Sequence, residues 1–514
     1  MAAVGLAAVK LLPAMEFNAV SIRGAGLSRS DLLGGVYHQT WAQFREQLSL
    51  PLSNSFIVAA WGLGLIALAA SQRLRRSATL FYLAATLLLT ALSFDTPLFD
   101  LYAQMPLGNL FRLPTRFRWM ASVLAVVLIA LGTHAFLRLC RGSTRQRALA
   151  VALPVLGTGV FAWLAWAPPD LFSVCAIAAT FAAALWAAHG GVRWRWLLPA
   201  SLLMPIGCYA LLAIRFLPTS PLPMAPRSLW ARAQTFAGLR DRMSLQDRAY
   251  VFEDYQRGVD WSVVAKSSSL FDVRGVTDYE PETSVRFADL LLALRGVSHY
   301  ANFNAFEFAP RVPRNGSLLN LTAARFVVAN SAVAVPLTLP ATALHQLDGP
   351  APFALLENTA ALPRAFYVPR AEVEPSPNRL LDRLQDPSHD PRQVALIEAA
   401  PADGFLGAAG HSGDATVEAD RGEWLAIRVR ADAPGFLFLS DQDYPGWEAR
   451  VNGAPVAILR ANYAFRLLRV PAGESTVELS YRPRSLRLGA AVSATTVMVL
   501  ALTALVRRAG LRPA

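Results

Sequence analysis

Cysteine and lysine are scarce in this chain of 514 residues. It has only two lysines, so arginine supplies nearly all of its positive charge, and its three cysteines are Cys140, Cys175 and Cys208. No cysteine lies between residues 216 and 485. A domain formed by that segment cannot contain disulfides, so its stability has to come from its own apolar core.

Charged residues are also few. They make up 16% of the chain, while hydrophobic residues make up 54%. In soluble proteins charged residues supply about a quarter of all positions, and together with a mean hydropathy of +0.35 the deficit indicates a bilayer environment. The formal net charge of +12 is spread over single arginines and helix flanks without a dense, aromatic-rich patch, which excludes nucleic acid as a predicted partner.

Long apolar runs are the most prominent feature of the sequence. A spanning helix needs about 20 such residues, because the hydrocarbon layer is about 30 Å thick. The runs lack strict alternation, which favours helices over barrel strands and predicts a polytopic α-helical membrane protein. The predicted spans cover residues 54–71, 77–94, 119–138, 147–166, 171–189, 195–215 and 486–507, and residues 1–14 are predicted to be the end of a further helix.

The distribution of arginine predicts the orientation. If the helices alternate, the short arginine-rich loops near residues 73–76, 138–147 and 193–195 fall on the same side as the C-terminal tail, and this side is predicted to be cytoplasmic. Other arginines crowd helix ends on the opposite side, but the count over short loops favours this assignment. The predicted arrangement is therefore a multi-pass membrane protein with one large extracytoplasmic domain.

Four regions follow from these patterns. Residues 1–215 are predicted to be transmembrane, residues 216–420 an extracytoplasmic α+β domain, residues 421–484 a small extracytoplasmic antiparallel β-sandwich, and residues 485–514 the final transmembrane helix with a cytoplasmic tail.

Within these regions local patterns predict individual elements. Strands are predicted at residues 249–252 and 324–329, and apolar spacing predicts a helix over residues 285–294. Six short alternating runs separated by turn residues predict the sandwich, and Asn452-Gly453 predicts a type I′ hairpin. The runs are EWLAIRVR, GFLFLSDQ, GWEARVNG, APVAILRA, YAFRLLRV and STVELSYR.

Several short motifs stand out along the chain. The C-terminal motifs are residues 440–447 (SDQDYPGW), 452–453 (NG), 462–466 (NYAFR), 470–473 (VPAG) and 481–483 (YRP). The upstream motifs are residues 11–13 (LLP), 21–24 (SIRG), 111–117 (FRLPTRF), 318–321 (LLNL) and 325–328 (RFVV). In order and spacing the C-terminal group resembles the bacterial YfhO family of membrane proteins, and the upstream motifs are similar to the same family, so that the resemblance covers almost the whole chain. The resemblance implies a location in the bacterial inner membrane.

The resemblance implies membership of the C-type glycosyltransferase superfamily, which moves sugars from polyprenyl-phosphate donors to acceptors on the outer face of the membrane. That superfamily places an acidic catalytic motif in its first outer loop, and the family normally has several helices before the Leu-Leu-Pro element found here at residues 11–13. The resemblance thus implies that the chain begins partway through the family's sequence, without the catalytic half.

The resulting functional prediction is the C-terminal part of a membrane glycosyltransferase. It would use a polyprenyl-phosphate-linked sugar to modify a cell-envelope polymer. The alternative is a non-catalytic membrane protein whose extracytoplasmic domain binds envelope polymer or a partner subunit. Fold alone does not decide between them.

Arginines in the predicted outer loop at residues 95–118 are the first candidates for ligand binding. Arg112, Arg116 and Arg118 could hold the phosphate of a lipid-linked sugar, because a guanidinium offers a planar fork of donors. The alternative is that they anchor a helix end to anionic headgroups, which is the more common role of such arginines.

Weaker candidates are Glu16, Arg23 and Asp95, in predicted outer loops. A carboxylate there could act as a general base, although ion-paired or solvated loop residues are more common. The sequence identifies no catalytic residue and no metal site. A divalent cation at the adjacent pair Glu253-Asp254 is the only cofactor considered, and one such pair is common on protein surfaces.

Four aromatic residues of the predicted sandwich have two interpretations. They could form a platform on which a sugar stacks, but their strand positions favour the sandwich core. These residues are Tyr444, Trp447, Tyr463 and Phe465.

Overall fold

A computed structural model describes most of the C-terminal half of the chain and parts of the N-terminal half. The described residues are 2–22, 73–105, 116–140, 143, 236–252, 268, 271–276, 283–297, 312–330, 343–347 and 353–510. The chain divides into two compact units, one made of Met1–Ala25 with Pro223–Ala514 and the other of Gly26–Leu222, and each is described by itself.

The secondary structure is numbered in chain order. The helices are α1 (Ala2–Val20), α2 (Arg73–Leu92), α3 (Pro97–Gln104), α4 (Arg116–Cys140), α5 (Val285–Leu294), α6 (Gly316–Leu321), α7 (Pro377–Gln385) and α8 (Arg484–Gly510). The strands are β1 (Arg248–Phe252), β2 (Ala324–Asn330), β3 (Leu344–Leu347), β4 (Phe353–Asn358), β5 (Ala365–Val368), β6 (Arg370–Val373), β7 (Val394–Ile397), β8 (Gly413–Asp420), β9 (Trp424–Ala431), β10 (Gly435–Gln442), β11 (Trp447–Val451), β12 (Ala454–Val456), β13 (Ile458–Ala461), β14 (Phe465–Val470) and β15 (Gly473–Tyr481).

Three sheets organise the larger unit. Sheet 1 has the order β1-β2-β4-β3, with β1 and β2 parallel. Sheet 2 has the order β5-β10-β14-β13-β7-β6 and is antiparallel except for the pair of β6 and β7. Sheet 3 has the order β12-β11-β15-β9-β8 and is antiparallel throughout.

Sheet 2 lies between two apolar cores, as strand β10 shows. Successive side chains of a strand point to opposite faces. Leu437 and Leu439 pack in a core shared with the inner face of sheet 3, whereas Phe436 and Phe438 pack in a core shared with α5, α6 and α7. Because both faces of β10 are covered, its sequence GFLFLS is continuously apolar instead of alternating with polar residues.

Helix α7 shows how the outer layer is attached. Ser376 caps its first turn by accepting a hydrogen bond from the backbone N–H of Arg379, and Pro377 occupies the first helical position, where no donor is lost. Leu380, Leu381 and Leu384 then point into the core beneath sheet 2, at the three-to-four spacing of an amphipathic helix.

The first and last helices of the chain pack closely together in the same unit. Helix α1 runs antiparallel to α8, and a Cβ on Gly489 would lie only 2.5 Å from the carbonyl oxygen of Ala8. The hydroxyl of Ser493 donates to the carbonyls of Gly5 and Leu6, 3.0 Å away in each case. Small residues and a hydroxyl at a helix contact are typical of helix pairs in membranes.

The smaller unit contains α2, α3 and α4. Helices α2 and α4 pack through Leu83, Ala125 and Leu128. Helix α2 ends at Leu92, and α3 begins after Thr96, whose hydroxyl accepts from the backbone N–H of Phe99. The chain bends by 90° at the break between α2 and α3.

The prediction of a polytopic α-helical membrane protein is wrong for the part of the chain that the structure describes. There, one helix, Arg484–Val506, has the length and mean hydropathy (2.0) to cross a membrane, or two if the bent pair of α2 and α3 counts as one span. The remainder of the larger unit is mainly sheet. Apolar run length reports solvent preference, but not where a helix bends or ends, so it predicted more spans in these described residues than the structure supports.

The other runs predicted to span a membrane have different outcomes. The run at 77–94 overlaps α2, and the run at 119–138 lies within α4. Helix α1 extends to Val20, beyond the predicted end at residue 14. The runs at 54–71, 147–166, 171–189 and 195–215 lie outside the described residues.

Local predictions in the larger unit agree better with the structure. The helix at Val285–Leu294 is confirmed, as are the strands that overlap β1 and β2. The hairpin turn is confirmed as well, because Asn452 and Gly453 have φ values of 51° and 80°.

Candidate functional site

An open cavity lies in the larger unit, where the last residues of α1 meet the strands β11 and β15. Its volume is about 1030 Å³, at the upper end of the range for small-ligand sites. The lining is mixed, with aromatic, basic and acidic side chains together. The lining residues with a role below are Arg286, Asp443, Tyr444, Trp447, Glu448, Arg450, Arg460 and Arg482.

Two aromatic residues that line the cavity, Tyr444 and Trp447, belong to a larger cluster of rings. The ring centroids of Trp447 and Tyr481 are 5.5 Å apart, and those of Tyr481 and Tyr444 are 5.9 Å apart. Tyr444 also packs against Phe17 of α1 at 5.3 Å. These distances lie within the range of favourable ring pairs, so the four rings form a continuous cluster that connects α1 with the sheet.

A tight turn brings the cluster together. Gly446 has a φ of +99°, and a Cβ there would lie about 3.0 Å from the ring of Tyr481 and 3.1 Å from the Cα of Pro483. The backbone N–H of Arg482 donates to the carbonyl of Gly446 at 2.7 Å. Only glycine fits this combination of conformation and close approach, which explains the Pro-Gly-Trp sequence at this point.

Arg466 lies behind Trp447. Its guanidinium carbon is 4.2 Å from the centroid of the indole ring, and its Nε donates to the carbonyl of Gln442 at 2.8 Å. Burial lowers the pKa of Arg466 to about 10, and its Nη1 has no hydrogen-bond partner among the described residues. The cation fixes Trp447 from behind, so that the indole is a rigid wall.

Asp443 contributes a carboxylate to the cavity lining. Burial raises the pKa of Asp443, against the opposing effect of Arg460 and Arg466. Its backbone N–H donates to the carbonyl of Ala464 at 2.8 Å, which positions the residue. A half-buried carboxyl with a raised pKa is the kind of group that protein sites use to bind or exchange a proton.

The arginines that line the cavity differ in their partners. Arg286 forms an ion pair with Glu398 at 2.9 Å, and Arg460 approaches the same carboxylate at 3.7 Å. Arg450 donates to the carbonyl of Gly453 at 2.8 Å. The guanidinium of Arg482 has no ion pair or hydrogen bond within the described part of the chain.

A buried ionic cluster, here called the arginine–aspartate cluster, lies beside the cavity. Its members are Arg248, Arg364, Asp420 and Asp441, and three sheets contribute to it because these residues come from β1, the start of β5, β8 and β10.

The geometry of the cluster centres on Asp441. Arg364 binds both oxygens of Asp441, through Nε at 2.9 Å and Nη2 at 2.8 Å, and its Nη1 reaches Asp420 at 2.6 Å. Arg248 also pairs with Asp441. Burial alone would raise the pKa of Asp441, but the two guanidinium groups hold it well below its usual range.

The predicted ligand residues are found in several places. Arg116 is the exposed first residue of α4, and the guanidinium of Arg118 lies over the ring of Phe94 at 5.0 Å. Arg112 and Arg23 lie outside the described residues. The phosphate-binding role of Arg112, Arg116 and Arg118 stays a prediction.

The weaker candidates are also spread out. Glu16 accepts a hydrogen bond from the hydroxyl of Ser485 between α1 and α8, and Asp95 lies in the turn between α2 and α3. The acidic pair Glu253-Asp254 lies outside the described residues, and within these residues no group of three His, Cys, Asp or Glu side chains could hold a metal ion.

Of the four aromatic residues with two interpretations, two lie in the core and two line the cavity. Phe465 is fully buried and Tyr463 nearly so, with its hydroxyl 3.0 Å from a carboxylate oxygen of Asp289, and burial raises the pKa of Tyr463 to about 12. These two belong to the core, as the sequence favoured. Tyr444 and Trp447 instead line the cavity.

Asp443 and Arg482 were not predicted from the sequence as site residues, and neither was the arginine–aspartate cluster. The segment SDQDYPGW, which carried the resemblance, was the available signal, because it contains Asp441, Asp443, Tyr444 and Trp447. No pattern indicated their partners.

Comparison with known proteins gave one match. The family model described as bacterial membrane protein YfhO matches residues 409–493, a segment that runs from just before β8 into the first turns of α8 and includes most of the cavity. No curated protein and no solved structure matched the chain. The predicted resemblance is therefore confirmed for this C-terminal portion, which is similar to the bacterial YfhO family of membrane proteins.

Proposed function

We propose that this protein is attached to the bacterial inner membrane through α8 and takes part, on the outer face, in glycosyl transfer from a polyprenyl-phosphate-linked sugar to a cell-envelope polymer. Its sheet unit would hold the saccharide in the cavity beside Trp447. The observation that supports the proposal most is the lining of this cavity, which combines an aromatic wall with carboxylates and arginines.

The lining suits a sugar for two physical reasons. The face of a pyranose ring is apolar enough to pack on an aromatic ring, and its hydroxyls need acceptors and donors arranged around that ring. Trp447 and Tyr444 offer the first, while Asp443, Glu448 and Arg460 offer the second.

The position of the cavity suits a donor that is anchored in lipid. It is lined by Arg482, two residues before α8 begins, and by Val20 at the end of α1. If α8 crosses the membrane, the cavity opens near the headgroup layer. A sugar joined to a polyprenyl chain would reach it without leaving the bilayer.

A binding experiment tests the proposal. The purified full chain, in nanodiscs of zwitterionic lipid, would be titrated with polyprenyl-phosphate-linked sugars, and Trp447→Ala should weaken binding about tenfold, a typical loss for one stacked ring. Trp119→Ala is the matched control, because Trp119 is an exposed indole on α4. Equal affinities of wild type and Trp447→Ala for every sugar tested would refute the cavity as the saccharide site.

A transfer assay addresses the reaction itself. Membranes of a strain that lacks the gene would be complemented with wild type or Trp447→Ala and supplied with a radiolabelled lipid-linked sugar. Label should enter envelope polymer with the wild type and fall with the variant. Tight sugar binding without any gene-dependent transfer would reduce the role to binding alone.

The extracytoplasmic location has its own test. Asp414 is exposed on β8, and the unit that contains it has no cysteine among residues 223–514. In a chain with Cys140, Cys175 and Cys208 changed to Ser, Asp414→Cys should react with a membrane-impermeant maleimide in intact spheroplasts. Reaction only after lysis would place the sheet unit in the cytoplasm and refute the proposal.

A further inference from the structure

Three of the four arginines that line the cavity already have partners. Glu398 neutralises Arg286 and Arg460, and Arg450 donates to a backbone carbonyl of its own hairpin. Arg482 differs, because its side chain is exposed and forms no ion pair or hydrogen bond with any described residue. It is therefore the arginine of the cavity that can bind a new anion without breaking an existing contact.

The backbone of Arg482 is nevertheless fixed. Its N–H donates to the carbonyl of Gly446 at 2.7 Å, and Tyr481, the residue before it, packs against both Tyr444 and Trp447. Pro483 follows and is buried. The guanidinium thus projects from a rigid base at the edge of the aromatic wall, so less entropy is lost when it binds a ligand than at a flexible loop.

The position of Arg482 just before the apolar helix α8 limits the ligands that can reach it. The helix able to cross a membrane begins at Arg484, and only 6% of its most apolar window is buried within the protein. Residues just before such a helix lie at the level of lipid headgroups, where phosphate groups are the main anions. A guanidinium there presents paired donors that match phosphate oxygens.

We infer that Arg482 binds the phosphate group of a lipid-linked ligand whose sugar occupies the cavity beside Trp447. This inference rests on the proposed function and assigns two parts of the site to two parts of the ligand. The aromatic wall contacts the sugar, and Arg482 contacts the phosphate at the membrane edge. Arg482 is a binding residue in this arrangement and takes no part in proton transfer.

A pair of variants separates this role from general attraction to the membrane. Arg484 is exposed, lies two residues further along and does not line the cavity. Affinities for polyprenyl phosphate would be measured in nanodiscs of phosphatidylcholine. Arg482→Ala should weaken binding about tenfold or more, because a charge-assisted paired contact is lost. Arg484→Ala should change it less than about threefold, as expected for a change of unpaired surface charge.

Three further probes identify the chemistry of the ligand. Polyprenol, which lacks the phosphate, should bind weakly and equally to wild type and Arg482→Ala. Phosphatidic acid should bind less tightly than polyprenyl phosphate, and inorganic phosphate should not displace polyprenyl phosphate at equimolar concentration. Arg482→Lys should recover only part of the affinity, since lysine keeps the charge but loses the planar fork.

The outcomes that would overturn the inference are distinct. Equal losses for Arg482→Ala and Arg484→Ala would show that only membrane charge matters. Equally tight, Arg482-dependent binding of phosphatidic acid would assign the site to ordinary lipid headgroups, and displacement by equimolar inorganic phosphate would assign it to a soluble anion. Failure of the proposed function looks different, because Trp447→Ala would then leave sugar binding unchanged whatever Arg482→Ala does to phosphate binding.

Discussion

Asp441 and Asp443 are only two residues apart at the end of β10, yet their surroundings have opposite effects. Asp441 is buried between Arg248 and Arg364, and these guanidinium groups hold its pKa well below the usual range. Asp443 lines the open cavity, and burial raises its pKa because the nearby arginines do not compensate. Asp441 lies in the stretch of β10 between Leu439 and Gln442, where the pairing with β14 is irregular, and Asp443 follows the last residue of the strand.

The difference separates groups that hold the fold together from groups that remain available to a ligand. In the arginine–aspartate cluster the polar atoms of Asp441 are fully engaged, and the contacts connect the three sheets. In the cavity, the side chains of Asp443 and Arg482 form no ion pair or hydrogen bond with a described residue. Asp443 is half-buried and Arg482 is exposed, so both side chains remain available to a ligand.

The largest effect should come from breaking the cluster. Arg364→Ala leaves Asp441 buried with only one of its two guanidinium partners and removes the contact with Asp420. Loss of one partner from a buried pair typically costs about 3–5 kcal/mol in the free energy of unfolding. Chemical unfolding of the full chain in detergent, monitored by near-ultraviolet circular dichroism, would measure this loss in the sheet unit.

The matched control for Arg364→Ala is Arg428→Ala on sheet 3. Arg428 also contacts two carboxylates, Glu418 and Glu474, but these pairs are exposed. Exposed pairs contribute little to stability because water screens them, so the control should unfold almost as the wild type does. Similar losses for the two variants would mean that burial of the cluster has no energetic importance, and the comparison with the cavity would fail.

The sequence predicted local structure well where one residue pattern determines it. The alternating runs in the last third of the chain became strands, and the Asn452-Gly453 hairpin follows from the positive φ that both positions need. Helix α5 was found from its apolar spacing. Such features depend on neighbours within a few residues, which the sequence displays directly.

Long-range contacts explain what the sequence could not predict. Asp441 binds Arg248, 193 residues away, and Arg364, 77 residues away. Strand β10 also pairs with β5 from far upstream, which brings Phe366 beside Phe438. No spacing rule connects such positions. Among the described residues the number of spans was wrong for a related reason, since apolar length does not show the 90° bend after Leu92.

Lowering the pH should change the stability of the fold in opposite directions through Asp441 and through Asp443. The folded-state pKa values of Asp441 and Asp420 are lowered, so their stabilising contribution is present above the unfolded-state pKa of about 3.9 and is lost as the pH falls through the folded values. Asp443 acts in the opposite direction because its pKa is raised, so its protonation favours the fold.

We therefore expect the free energy of unfolding of the wild type to fall below about pH 4. Asp441→Asn should be less stable than the wild type at neutral pH, with a shallower fall in acid. Unfolding curves measured between neutral pH and pH 3 would show this. A fall in acid as steep in Asp441→Asn as in the wild type would assign the acid sensitivity to other carboxylates.

Arg466 should give an intermediate effect because it lies between the two regions. Arg466→Met keeps much of the side-chain volume but removes the contact with the indole of Trp447 and the bond to Gln442. We expect a loss of about 1–2 kcal/mol, the scale of one desolvated cation–π contact and one hydrogen bond. The same unfolding assay measures it, and a loss as large as that of Arg364→Ala would place Arg466 within the cluster.

The smallest effect on stability should come from Asp443→Asn. The charged carboxylate is disfavoured by burial and forms no ion pair or side-chain hydrogen bond with the described residues, so a neutral amide of the same shape should change the free energy of unfolding by less than about 0.5 kcal/mol. Asp441→Asn is the matched substitution two residues away and should be much more damaging. If the two variants were equally destabilised, Asp443 would be a structural residue. Stability close to that of the wild type, together with weaker sugar binding, would instead assign a binding function to Asp443 in the cavity.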